Sequence, residues 1–252
     1  MILTLGKKTI LWAVAVVLLG VVCCVGVFQP NVLDVISGNV ARKIPVYNVD
    51  RNDNKVALTF DAAWGGDKTQ GILDILEKYD VKATFFLVGF WIDKYPELVK
   101  KIDEAGCEIG NHSRNHPKLS GAGDKKLDSE IDYVNDQINK LIGKTPKFFR
   151  APFGDYDNGL MKRLEDKNMI GIQWDVDSLD WKGLSGGDIA KRISKAKSGS
   201  IILCHNNSDH ILDALPLVIA SLKNKGYQLV TMSELVYTEN YFVDNNGVQH
   251  LK

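Results

Sequence analysis

Two histidines, His112 and His116, stand four residues apart in Asn111-His112-Ser113-Arg114-Asn115-His116. On a helical turn that spacing sets both imidazoles on one face, where they can share one divalent metal ion. Upstream, Val56-Ala57-Leu58-Thr59-Phe60-Asp61 reads as a buried strand that delivers a carboxylate at its C-terminal end. Carboxylates and imidazoles at strand ends around a common mouth are where alternating α/β proteins keep their chemistry. Three further stretches share that placement: Arg150-Ala151-Pro152-Phe153-Gly154, Asp177-Ser178-Leu179-Asp180-Trp181 and Leu203-Cys204-His205. An isolated histidine pair at this spacing is more often a surface or capping pair than a metal site. Here the accompanying stretches give the pair its weight.

The elements that would position these groups follow from the hydrophobic pattern. β-forming apolar runs recur at Val56–Phe60, Ala83–Val88, Cys107–Gly110, Phe148–Phe149, Met169–Trp174, Ser200–Cys204 and Tyr227–Thr231. Between them lie amphipathic segments with helical spacing, Ile72, Ile75, Leu76 and Tyr79, then Leu98, Ile102 and Ala105. A longer helix is expected over Asp124–Ile142, stopped by Gly143, with others over Leu160–Lys167, Gly187–Ala196 and Ile211–Asn224. Strand–helix alternation of this kind implies parallel strands joined by right-handed crossovers. The expected fold is α/β, a barrel or open sheet of about seven parallel strands.

Lys and Arg total 31, as do Asp and Glu, so the net charge is zero and a nucleic-acid partner is not expected. Residues 9–28 carry no charge, are dominated by Val, Leu, Ile and Ala, and follow Lys7 and Lys8. Such a run is long enough to cross a bilayer. The lysines place residues 1–8 in the cytoplasm and the remainder outside it. A cleaved signal peptide is the rival reading, disfavoured because no A-x-A-like site follows the run. Residues 29–54 read as a linker, 55–238 as the globular domain, and 239–252 as a polar, loosely held tail. Cys107 and Cys204 are expected as buried free thiols.

In order and residue type, the five stretches resemble the motifs of the polysaccharide deacetylase family, the NodB-homology carbohydrate esterases. The likeness runs from about Lys55 to Val236. The wording LTFDAAWG, QWDVDSLDWK and SIILCHN is similar to the sporulation-type PdaB-like subgroup. The resemblance implies a distorted (β/α) barrel and metal-assisted hydrolysis of N-acetyl groups on amino sugars, with peptidoglycan or another N-acetylated glycan as partner. The implied metal is zinc, with cobalt or manganese as alternatives. Asp61 falls at the position of the general base, and His112 and His116 at those of metal ligands. By the same resemblance, Arg150 is expected to orient the base carboxylate, and His205 to be the acid that protonates the departing amine, tuned by Asp177. Pro152, Phe153, Trp181 and Leu203 fall at substrate-pocket positions.

One position departs from the family pattern. Where the family has a second aspartate, the third metal ligand, this chain has Ala62. A site of two neutral imidazoles holds a metal less tightly. Three outcomes are open: Asp67 supplies the missing oxygen, Asp61 becomes a ligand and leaves the base role, or the site is weak and the protein mainly binds a wall polysaccharide.

Overall fold

A computed structural model describes residues 41–252, of which Lys43–Lys252 form one compact unit. The expected membrane segment at 9–28 lies outside the described residues. Among those described, no helix is long and apolar enough to cross a membrane.

The central strand is β2 (Lys55–Ala62). It is buried along almost its whole length because it is covered on both faces, as parallel strands are. Val56, Leu58, Phe60 and Ala62 face the larger core, packed under the helices, while Ala57 joins a second apolar cluster inside the curl of the sheet. Thr59 and Asp61 share the side of Ala57, by the two-residue period of a strand. On one flank β2 pairs with β3 (Thr84–Leu87), followed by β4 (Glu108–Asn111), β5 (Phe148–Phe149) and β6 (Ile170–Gly171). On the other flank lie β8 (Ile201–His205) and then β7 (Val176–Asp177), while β9 (Gln228–Val230) pairs with the start of β2. Every pairing in this sheet is parallel. The seven strands of the main path curl into a distorted half-barrel, in agreement with the expected α/β architecture.

The crossovers are helical: α1 (Thr69–Lys78), α2 (Gly89–Lys94), α3 (Pro96–Glu104), α4 (Asp124–Ile142), α5 (Asn158–Asp166), α6 (Gly186–Ile193), α7 (Ile211–Asn224) and the single turn α8 (Met232–Leu235). α4 ends where Gly143 takes the left-handed conformation.

Two boundary expectations are corrected. The expected linker is 29–54, of which 29–40 lie outside the described residues; within the rest Val46 and Val49 are buried, and Val46 bridges to Ile172 and Asn48 to Ser200 across the open side of the half-barrel. Gly199 permits this closure, since a Cβ there would lie 1.7 Å from the Val49 carbonyl oxygen. Residues 239–252 were expected to be a loose tail. Instead β10 (Tyr241–Val243) and β11 (Val248–Leu251) form a hairpin, and β11 pairs with β1 (Asn48–Val49). Cys107 and Cys204 are buried and free.

Candidate active site

The C-terminal ends of β2, β4, β5, β7 and β8 open into one cavity of about 610 Å³. It is lined by Asp61, His112, His116, Asp177, Asp180 and His205, with Trp64, Phe153, Trp174, Trp181 and Leu203 supplying apolar wall. The register explains the central pair. Asp61 stands opposite His205 on adjacent parallel strands, so strand pairing alone sets the carboxylate beside the imidazole.

Asp61 is held by Arg150, which leaves β5 fully buried beneath it. Arg150 Nη1 donates to Asp61 Oδ1 at 2.7 Å and to Thr59 Oγ1 at 2.9 Å, and Thr59 Oγ1 donates onward to the Ile202 carbonyl. The guanidinium also lies over the Phe86 ring, 4.1 Å from its centroid. Burial would raise the pKa of Asp61, but the charge of Arg150 first, with that of His205 and the Arg150 hydrogen bond, outweighs it and holds the carboxyl below its usual range.

The segment from His112 to His116 is not helical, which corrects the expectation of a shared helical face. It is a loop after β4 in which Ser113 and His116 adopt positive φ angles of 68° and 55°. Side chains shape it: Asn111 Oδ1 accepts from the Ser113 backbone, Ser113 Oγ from that of His116, and the buried Glu130 of α4 from Asn115. The two imidazoles still meet, edge to face, with centroids 4.9 Å apart. His112 Nδ1 lies 2.8 Å from the Arg150 carbonyl oxygen, which can only accept, so the proton sits on Nδ1. Nε2 then turns its lone pair toward Asp61 Oδ2, 3.4 Å away. Burial lowers the basicity of both rings, and His116 is brought to about 4 by burial and by the neighbouring His112. Both are neutral, electron-pair donors at neutral pH.

His205 behaves oppositely. Its Nδ1 is 2.7 Å from Asp180 Oδ1, and its backbone N–H donates to Asp180 Oδ2 at 2.7 Å. Burial alone would lower its basicity, but the bond and charge of Asp180 overcome that and raise it above the ordinary value. The carboxylate that chiefly tunes His205 is therefore Asp180, which bonds it, while Asp177, expected in that role, adds only a weaker charge. Leu179 takes a left-handed turn (φ 51°) between them, swinging Asp180 under β8. Asp177 lines the cavity and accepts from the Leu179 backbone. Sequence offered no spacing that separates the two aspartates; only the adjacency of Asp180 to Trp181 was legible.

Of the expected substrate-pocket residues, Phe153, Trp181 and Leu203 line the cavity. Pro152 does not; it is buried in a 3-10 turn whose positive φ at Phe153 (60°) turns that ring outward. Phe153 meets His116 edge-on at 4.6 Å. Asp67 is exposed on the turn before α1 and does not line the cavity, so it supplies no replacement oxygen. Ala62 points into the apolar core. Among the described residues, no group of three or more His, Cys, Asp or Glu is arranged to hold a metal ion. Two imidazoles are present without the third ligand that the resemblance implies, so the donor set does not match a complete metal centre.

Comparison with known proteins agrees with this architecture. Residues 48–171 match the family described as polysaccharide deacetylase. The peptidoglycan-N-acetylglucosamine deacetylase of Bacillus cereus is 38% identical over 192 residues, covering 74% of this chain and 70% of that protein. YlxY of Bacillus subtilis is 37% identical over 193 residues, 76% of this chain, and the chain spans only 60% of its length. The crystal structure of wild-type BA3943, a CE4 family pseudoenzyme from Bacillus anthracis, superimposes with a TM-score of 0.74 at 30% identity, covering 85% of this chain and 75% of that one.

Proposed function

The chain belongs to the polysaccharide deacetylase family of hydrolases, and from that premise we propose that it removes N-acetyl groups from amino sugars of a bacterial wall polymer, peptidoglycan first among them. The single observation that supports this reading is the pairing of an ionised Asp61 with a His205 of raised basicity on neighbouring strand ends of one cavity. Arg150 and Asp180 bias the two in opposite directions, as an acid–base pair requires.

In the proposed reaction Asp61 takes a proton from water as its oxygen attacks the acetamide carbonyl carbon. His205 gives a proton to the nitrogen as the carbon–nitrogen bond breaks, leaving acetate and a free amine. Leu203 and Trp181 form apolar wall suited to the acetyl methyl group. Family members are generally metal-dependent. In this chain the two neutral imidazoles of His112 and His116 are the available donors, and no step is assigned to a metal.

A second reading, a catalytically weak wall-polysaccharide binder, is favoured by Ala62 and the incomplete ligand set. The uncharged run after Lys7 and Lys8 supports a further proposal, that the domain acts outside the cytoplasm from a membrane anchor, and the PdaB-like wording supports a role in sporulation. Acetate release from N-acetylated peptidoglycan by the full chain tests the enzymatic reading. Asp61→Asn and His205→Ala should each lower the rate by roughly 10²–10⁴-fold, the usual worth of positioned proton transfer. No acetate above background from the wild type decides for the binder.

A further inference from the structure

In a chain of zero net charge, basic residues gather at one place. Between Asp188 and Asp209 stand Lys191, Arg192, Lys195 and Lys197, with no acidic residue among them. Arg192, Lys195 and Lys197 line a second cavity of about 460 Å³, whose remaining wall is Asn48, Asp175, Val176 and Asp177. It lies along β7, the edge strand of the main sheet, and shares only Asp177 with the catalytic cavity.

These cations are not paired with the protein's own carboxylates. Arg192 Nε donates to the Asp177 carbonyl oxygen at 3.1 Å, which fixes the guanidinium against β7. Lys195 and Lys197 are exposed, and neither ammonium bonds or pairs with any described residue. The two acids of the cavity are engaged elsewhere. Asp175 accepts from the Ile201 N–H and from Ser200 Oγ, both at 2.9 Å, and Asp177 Oδ1 accepts from the Leu179 N–H at 2.8 Å. Lys197 acts on Asp175 only through its charge, without pairing.

Cations near a helix C-terminus also complement its dipole, and Lys191 and Arg192 occupy the last turn of α6. That effect fades beyond the last turn. The end of α6 is already met by Lys225 Nζ, which donates to the Ser194 carbonyl oxygen at 2.5 Å. Lys195 and Lys197 are therefore left without a structural partner. Three cations face two carboxylates, and a concave surface with such an excess concentrates ions of the opposite sign.

We propose that this cavity is an anion site, separate from the catalytic one, that takes an oxyanion group, phosphate or carboxylate, of an acidic wall polymer. The guanidinium offers a planar donor face for such a group, and the two ammoniums add point charges on flexible stems. The choice of a wall polymer rests on the glycan reading above, while the anion site itself does not. It serves a deacetylase and a binder alike, because it holds the polymer at a second point.

Isothermal titration of the full chain with inorganic phosphate, a glycerol phosphate oligomer, muramyl dipeptide and neutral chitotetraose tests it. The wild type should bind phosphate. One of the two acidic probes should bind more tightly still, which tells a phosphate source from a carboxylate source. Lys195→Gln combined with Lys197→Gln should weaken phosphate and that probe by roughly tenfold, about the worth of one charged hydrogen bond. Chitotetraose binding should not change. Lys195→Arg combined with Lys197→Arg should keep the anion affinity, and added salt should weaken it in the wild type. Melting temperatures should match, since both ammoniums are exposed. Equal anion affinity in the wild type and the glutamine variant, or no phosphate binding by the wild type, overturns the site. An equal loss for chitotetraose overturns its separateness from the catalytic cavity. Phosphate binding without affinity for either acidic probe overturns the polymer assignment. Failure of acetate release would remove the deacetylase reading alone, and these titrations would still decide the anion site.

Discussion

Replacing Asp180 by Asn tests how the site divides acid from base. In the wild type a carboxylate with no exposed side-chain surface takes two bonds from one residue, His205 Nδ1 and His205 N–H, both at 2.7 Å. Asn keeps the shape and one acceptor but removes the charge. A bond to a charged group is worth about 1.5–3 kcal/mol and a neutral one about 0.5–1.5 kcal/mol, so the expected loss is about 1–2 kcal/mol while His205 is protonated. For a domain of this size each kcal/mol moves the melting temperature by about 2–4 °C, giving a drop of roughly 2–8 °C. The loss has a pH signature. Because the folded state raises the basicity of His205, its contribution to stability is fully present below the ordinary histidine range and disappears as pH rises through the raised value. The gap between wild type and Asp180→Asn should therefore be widest in mildly acidic buffer and narrow as the pH rises above the raised His205 value. Imidazole proton resonances should show His205 titrating lower in the variant, where burial acts with less opposition. A gap constant with pH, or an unmoved His205 titration, would refute the assignment of Asp180 as its partner. Asp177→Asn, which leaves the His205 bonds intact and removes only a weaker, more distant charge, should shift both far less.

Arg150→Met should leave Asp61 buried without its counter-charge and cost about 3–5 kcal/mol at neutral pH. The penalty should shrink in acid as the carboxyl takes up a proton, and thermal melts at several pH values check the sign. Gly65→Ala places a side chain at φ +68° against Asn207. It should destabilise by about 1–3 kcal/mol in denaturant melts and disturb the Trp64 loop. Calorimetric titration with zinc should find weak binding in the wild type, lost in His112→Ala. Asp67→Ala should leave it unchanged, and a marked loss there would restore Asp67 as a ligand.

The strand–helix rhythm was legible because it rests on local periodicity. α4 and α7 coincide with the expected Asp124–Ile142 and Ile211–Asn224, the first because Gly143 stops it and the second despite Pro216 inside it. Likewise, the residue types that meet in the cavity could be read from motif order: Asp61, His112, His116, Arg150 and His205 each sit at or just after a strand end. The expected strand over Met169–Trp174 shortens to the two-residue β6, and β7 forms beyond it at Val176–Asp177; the two lie at opposite edges of the sheet with different neighbours.

What the sequence determined by itself is therefore the set of elements and the inventory of reactive groups, both of which depend on near neighbours along the chain. Tertiary structure alone decided the contacts between distant segments. Residues 48–49 and 241–251 look polar and irregular in isolation; β10 and β11 form a local hairpin, and β1 becomes a strand because β11 pairs with it from some 200 positions away, in the register Asn48 to Val248. The choice of Asp180 over Asp177 depends on one left-handed residue, Leu179, and on where β8 lies beneath it. Asp67, five residues beyond Ala62, is near the vacancy in sequence yet exposed outside the cavity, because the turn into α1 carries it away. Side-chain direction at a strand end is set by register and turn geometry, which the pattern of residue types does not encode.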